Sequence, residues 1–303
     1  DQLATALSGD KKVVVCTIQT FPALFKKMQE LTATSGKRFA VIADEAHSSQ
    51  TGQAAEAASD TIPAPTPQQW AALAMLPDWS GVWTPNWTDQ VAQVQSNPLP
   101  WKPEYGARIA RMIADDVAGR PAGLFVNCLP EAMPGWMLVS HNSMEVLMTP
   151  GRVTMLGESD GGRLRRIYTD GRKHPDYLDP TWYGHSIGWW DKDTLVIDTK
   201  GFLGGTIGAL DPEGSINVRF LDRAGNYHTD GLHVVERIRR TGPDHLSYQA
   251  TIEDPNVYTR PWTISMPLYR RVEANAQIGE FKCEEFVSDL IYGKYQKAPA
   301  RGR

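Results

Sequence analysis

The sequence predicts a mainly β protein, a calycin-like antiparallel barrel or strongly bent sheet preceded by a short α/β segment. Three observations predict it. From residue 123 onward, short runs of strand type recur between explicit turn signals at Pro150-Gly151, Asp160-Gly161-Gly162 and Thr241-Gly242-Pro243. Ten tryptophans, nine of them at or after Trp79, supply large aromatic surfaces of the kind strands pack. Before residue 58, in contrast, two continuous β-branched runs flank a stretch of helical spacing, the order of a parallel α/β unit.

Composition bounds the function classes. With 303 residues, 41% hydrophobic and 22% charged, the chain has the balance of a soluble globular protein with room for one large or two ordinary domains. No run of about twenty apolar residues occurs, so no membrane span is expected. A net charge of −4 gives no global footprint for nucleic acid, and the β-rich part is not expected to bind it despite the local cluster Arg163, Arg165 and Arg166. Nothing in the pattern fixes an oligomeric state. The cysteines Cys16, Cys128 and Cys283 form no CxxC pair and cannot make a four-thiolate zinc site. Cys128 and Cys283 are able to bridge in an oxidising compartment, and two buried free thiols is the other reading. The sequence opens at Asp1 without a basic-then-apolar signal segment, which does not assign it to the cytoplasm.

Taken in order, KVVVCTI at 12–18 and FAVIA at 39–43 read as buried strands around a helix at 22–31. The motifs TIQTFP at 17–22 and FAVIADEAHSSQTG at 39–52 resemble the DEAH-box, helicase-type motor of type I restriction enzyme R subunits. That resemblance implies that Asp44 holds the magnesium of bound ATP and Glu45 orients the attacking water. No GxxxxGK[ST] phosphate loop accompanies it, so 1–58 is read as a remnant or fusion of an ATP-dependent DNA translocase, with Asp44 and Glu45 a degenerate ATP/Mg motif. The stretch 52–68, rich in Ala, Ser, Thr and Pro, marks the boundary, with 59–68 the linker or fusion junction and 69–303 the barrel-like domain.

In that domain a short helix is expected near 69–78 and an amphipathic one at 103–117, with Ile109, Met112 and Ile113 on its apolar face. Strands are expected at 124–128, 136–139, 144–148, 152–156, 164–168, 182–190, 194–199, 232–239, 246–252, 263–268 and 280–286. Successive short antiparallel strands with local turns describe a meander, and closing it removes the unpaired edges.

The site candidates follow from the period of two. Tyr183, His185, Ile187 and Trp189 share one face of the 182–199 hairpin, and a histidine among such neighbours is a candidate for lining a cavity. A hydrogen-bonded core histidine is the ordinary alternative. Glu236 falls on the apolar side of its strand with Leu232, Val234 and Ile238, so it is expected to be paired, protonated or functional. Arg166 or Arg260 are the expected ion-pair partners if its role is structural. His185 as base and Glu236 as acid are the catalytic candidates, with Tyr183, Trp189, Arg166 and Tyr248 as substrate contacts. In HTDGLH, His228, Asp230 and His233 have a spacing that could hold a divalent metal with His185 reaching in. No GxSxG elbow supports a serine hydrolase.

A second resemblance covers most of 75–295. DGRKHP at 170–175, YGHSIGWWDKDTLVIDT at 183–199, HVVERIRR at 233–240, TIEDPNVYTRPW at 251–262 and EFKCEE at 280–285 are similar to a large family of uncharacterised bacterial proteins that usually carry export signals. It implies a periplasmic or secreted setting and no particular reaction. Where many relatives have a Cys-His-Glu run, this chain reads Cys283-Glu284-Glu285. The functional expectation is a barrel that binds, and as an enzyme transforms by lyase, isomerase or hydrolase chemistry, a small apolar or aromatic molecule in a cavity near His185, Tyr183, Trp189 and Glu236. A non-catalytic lipocalin-like binding protein is the alternative.

Overall fold

The computed structural model describes residues 64–96, 98–119, 128–138, 143–158, 163–204, 219–222, 225–283, 285 and 287–288. The chain divides into two units, Asp1–Ser59 and Asp60–Arg303, and every described residue belongs to the second. The expected motor segment, with Asp44 and Glu45, and most of the strand expected at 124–128 therefore lie outside the described residues. So does Cys16.

Among the described residues, three helices lie before residue 144. The first, α1 (Pro67–Ala74), begins at a capping box in which Thr66 accepts from the Gln69 amide and Gln69 accepts from the Thr66 amide. The second, α2 (Trp87–Ser96), follows the first strand. The third, α3 (Pro103–Val117), has the span that helical spacing predicts. Its Ile109 is buried, whereas Ile113, expected on the same apolar face, is 56% exposed. Among the described residues no helix is long and apolar enough to cross a membrane.

Among the described residues, nine strands close into a barrel. They are β1 (Gly81–Pro85), β2 (Met144–Thr149), β3 (Arg152–Gly157), β4 (Arg163–Tyr168), β5 (His185–Asp191), β6 (Thr194–Lys200), β9 (His233–Gly242), β10 (His245–Glu253) and β11 (Trp262–Arg270), in the order β1-β11-β10-β9-β6-β5-β4-β3-β2. Two short strands, β7 (Arg219–Phe220) and β8 (Tyr227–His228), pair separately. At the turns Gly151 takes φ 78 between β2 and β3, where glycine adopts the left-handed conformation freely, and Lys192, a non-glycine residue, takes φ 60 in the two-residue loop joining β5 and β6.

Four expectations are corrected. The barrel is mixed, not antiparallel throughout, because β4 and β5 run parallel through only two residue pairs, Ile167 with Ser186 and Tyr168 with Ile187. The closing strand β1, which is absent from the expected strands, bonds to both β11 and β2. The described part of 136–139 forms no strand but a 3-10 turn (Gly135–Leu138) that aims the Trp136 indole at Gly157, where any Cβ would lie 2.6 Å from Trp136 Nε1. The described part of 280–286 forms no strand either, and Cys283 is joined by a disulfide to Cys128 with their Cα atoms 5.5 Å apart.

The interior is layered. At one end Trp83, Met155, Ile167, Leu195, Ile238 and Leu246 pack so closely that the cavity between them has room for about 10 Å³, at the lower limit for a single water. The Trp83 indole donates to the Trp79 carbonyl at 2.7 Å, and the Arg270 guanidinium covers the Trp83 ring. The middle layer is polar, built on Arg165. Toward the opposite end Arg163 pairs with Glu131, both buried. Among the described residues, the apolar end of the barrel around Trp83 is a packed core without room for an organic ligand.

Candidate functional site

The central hairpin β5–β6 sorts its side chains as the period of two requires, with the inward set the reverse of the expected one. Ser186 and Gly188 point into the barrel and are buried. His185, Ile187 and Trp189 point outward, and Trp189 is 48% exposed. Crowding decides the choice. A Cβ on Gly188 would come within 2.9 Å of Ile167 Cγ2, so the face of β5 that carries Ser186 and Gly188 fits against β4, and Trp190 on the same face packs on Trp79.

Glu236 does face the interior, as its strand pattern predicts. Its partner is Arg165, not Arg166 or Arg260. Arg165 Nη1 donates to Glu236 Oε1 at 3.0 Å and its Nη2 to Glu236 Oε2, while the Tyr248 hydroxyl donates to Oε1 at 2.9 Å. Arg165 also donates to the hydroxyls of Ser186 and Thr199. Burial first, and then the Glu236 charge, push the Tyr248 hydroxyl well above its usual pKa, so it remains a donor. Every member has a partner, which is what a buried charge pair requires.

His185 and Glu236 therefore lie on opposite sides of one wall, and the expected acid–base couple and common cavity are not formed. The remaining candidates disperse as well. Tyr183 packs on Trp136 with ring centroids 5.3 Å apart, Arg166 is exposed on the outside of β4, and Tyr248 is in the core. His228 is buried with Nδ1 donating to the Thr229 carbonyl at 2.9 Å, Asp230 is exposed, and His233 points to the outer wall. Among the described residues no group of three or more His, Cys, Asp or Glu is arranged to hold a metal ion.

The outer wall gathers a different set. His185 on β5, Asp198 on β6, His233 on β9 and Glu253 on β10 form a row across four adjacent strands. Register places them there: Asp198 is opposite Ile187 and Val235, and His233 is opposite Glu253. His174 bridges the row from the segment 169–184, which folds back over the wall. Asp170 accepts from the backbone N–H of Arg172 at 3.2 Å and from its Nη2 at 2.7 Å. Arg172 then lies 4.0 Å over the Tyr168 ring, and Tyr168 stacks on His185.

Within this row His174 Nε2 and His233 Nε2 meet Asp198 Oδ1 at 3.2 and 3.0 Å, and His174 Nδ1 meets His185 Nδ1 at 2.8 Å. The two imidazoles have centroids 5.0 Å apart, so the facing nitrogens lie close to the line between the rings, as an N–H···N bond requires. Protons follow from the acceptor. An ionised Asp198 can only accept, so His174 carries its proton on Nε2 and presents Nδ1 as a lone pair. His185 must then donate from Nδ1, which makes Nε2 its basic nitrogen. The His174 side chain is only 8% exposed. Burial lowers its pKa below the ordinary 6.5, against the opposing pull of Asp198, and the charges of Lys200 and His233 push the same way as burial.

His174 and Asp198 were not among the expected site residues. Signals for both exist in the sequence: Asp198 is a lone acid at an outward position of the apolar run TLVIDTK, and His174 stands in a turn motif just before the hairpin. No family model matches the chain, and no curated protein is similar to it.

Proposed function

We propose that the domain is a calycin-like barrel that holds a small molecule against its outer wall at His185 and transfers protons on it through His174 and Asp198. The observation that carries this reading is the unbroken chain His185–His174–Asp198–His233, whose tautomers are fixed by one carboxylate. A proton taken from a ligand C–H or O–H arrives at Nε2 of His185. The proton on its Nδ1 passes to Nδ1 of His174. The His174 imidazolium so formed keeps its Nε2–H on Asp198, which neutralises it, and the reverse sequence returns a proton to the ligand. Such a relay serves isomerase or lyase chemistry, or hydrolysis when the proton comes from water, and general acid–base catalysis of this kind contributes about 10²–10⁴-fold in rate. Ile187 and the exposed Trp189, on the same face of β5, offer an apolar platform for an aromatic ligand. The periplasmic or secreted setting that the resemblance to exported bacterial proteins implies is supported by the Cys128–Cys283 disulfide.

The test is a screen of small aromatic and carbonyl compounds by chemical-shift mapping on the labelled protein. Binders are expected to move the signals of His174, His185, Ile187 and Trp189 and to lose at least tenfold in affinity or turnover in His185→Ala. Shifts confined to Tyr248 and the other interior side chains, or binding that ignores His185→Ala, would refute the wall site. Binding that depends on His185 with no turnover of any binder would leave the lipocalin-like alternative in its place.

A further inference from the structure

The interior network and the wall relay share a backbone. Ser186 and Thr199, which take hydrogen bonds from Arg165 inside the barrel, are the chain neighbours of His185 and Asp198 outside it. They are also register partners of each other, with hydroxyl oxygens 2.9 Å apart. In a strand, consecutive side chains leave the same backbone toward opposite faces, so fixing one fixes the direction of the next. His185 stands at the first position of β5, where the parallel pairing with β4 begins one residue later and lasts two residue pairs. Backbone ladder bonds thus hold that position weakly on the β4 side.

The Arg165 guanidinium crosses this seam from β4. Its Nε and Nη2 each donate to Ser186 Oγ at 3.2 Å, Nη2 reaches Thr199 Oγ1 at 3.0 Å, and Glu236 on β9 fixes the other side of the fork. The planar fork has the donors to hold β5, β6 and β9 together, which an ammonium cannot do with the same geometry. We infer that Arg165 is a positioning residue for the wall relay: acting through Ser186 and Thr199, it sets the His185–His174–Asp198 geometry from the opposite face of the sheet. This rests on the relay reading above. Without the clamp, β5 can shift at its start, and the N–H···N bond between His174 and His185 depends on a separation of 2.8 Å.

The experiment reads histidine tautomers by long-range ¹H–¹⁵N correlation in the full chain. The double variant Ser186→Ala/Thr199→Val removes both hydroxyls yet leaves the Arg165–Glu236 pair, so it is expected to fold. It should lose the single Nδ1–H pattern of His185 in favour of an averaged or Nε2–H pattern, and Thr199→Ser alone should retain the wild-type pattern. Leu246→Ala, at the apolar end of the barrel, serves as a control that lowers stability without touching the clamp, and it too should keep the pattern. Wild-type tautomers in the double variant would overturn the positioning role and leave the relay standing. A wild-type protein lacking the Nδ1–H form of His185 would overturn the relay and the positioning role with it.

Discussion

Two polar clusters stand back to back on the same strands, one inside the barrel and one on its wall. Inside, Arg165, Glu236, Tyr248, Ser186 and Thr199 are all buried, and the positive partner is a guanidinium that does not lose its proton. Outside, the partners of the carboxylate are imidazoles, and the side chains of Asp198 and His233 are 28% and 38% exposed. The two clusters therefore do opposite things. A dry cluster with a permanent charge fixes strand positions, whereas a partly exposed cluster of imidazoles and a carboxylate is built from groups that can pass a proton.

Breaking one partner of each cluster should separate them most sharply. Glu236→Ala leaves the Arg165 charge buried without its carboxylate and is expected to cost about 3–5 kcal/mol in chemical denaturation. His174→Ala, at the wall, should cost markedly less while abolishing the relay. Equal losses at the two sites would erase the distinction. Replacing both interior charges together, as Arg165→Met with Glu236→Leu, should destabilise less than Glu236→Ala alone, since no uncompensated charge remains.

A smaller effect distinguishes the clusters by pH. Burial holds His174 below its ordinary pKa of 6.5, so the unfolded chain takes up that proton first as the solution is acidified. The stability due to neutral His174 is complete above about pH 6.5 and is lost as pH falls through the depressed value. Denaturant midpoints measured from pH 8 down to 5 should decline less steeply in His174→Asn than in the wild type. An identical pH slope in both proteins would show that His174 does not titrate differently on folding.

Much of the fold was legible because local signals agree with it. The hairpins at Gly151 and at Lys192-Asp193, the strands β9 and β10, and α3 are written in turn residues and period, and the inward direction of Glu236 follows from its apolar neighbours. What escaped was set by distant partners. Leu164 is 39% exposed while Arg163 and Arg165 point inward, an inversion that makes sense only once Glu131 and Glu236 are in place. The parallel pairing of β4 with β5 was hidden because the connection 169–184 contains no crossover helix. That same connection carries His174 to His185, so the site partner could not be read before the path of the segment was known. Strand alternation separated the two faces of β5, but the packing against Ile167 decided which one lies inside.

The most direct test of the relay is the protonation pattern of the two facing imidazoles in the wild-type protein, read near pH 7 by long-range ¹H–¹⁵N correlation. A proton on Nδ1 of His185 together with one on Nε2 of His174 is the result expected from an ionised Asp198. A proton on Nε2 of His185 with none on its Nδ1 would break the donor order from His185 through His174 to Asp198 and would contradict the relay.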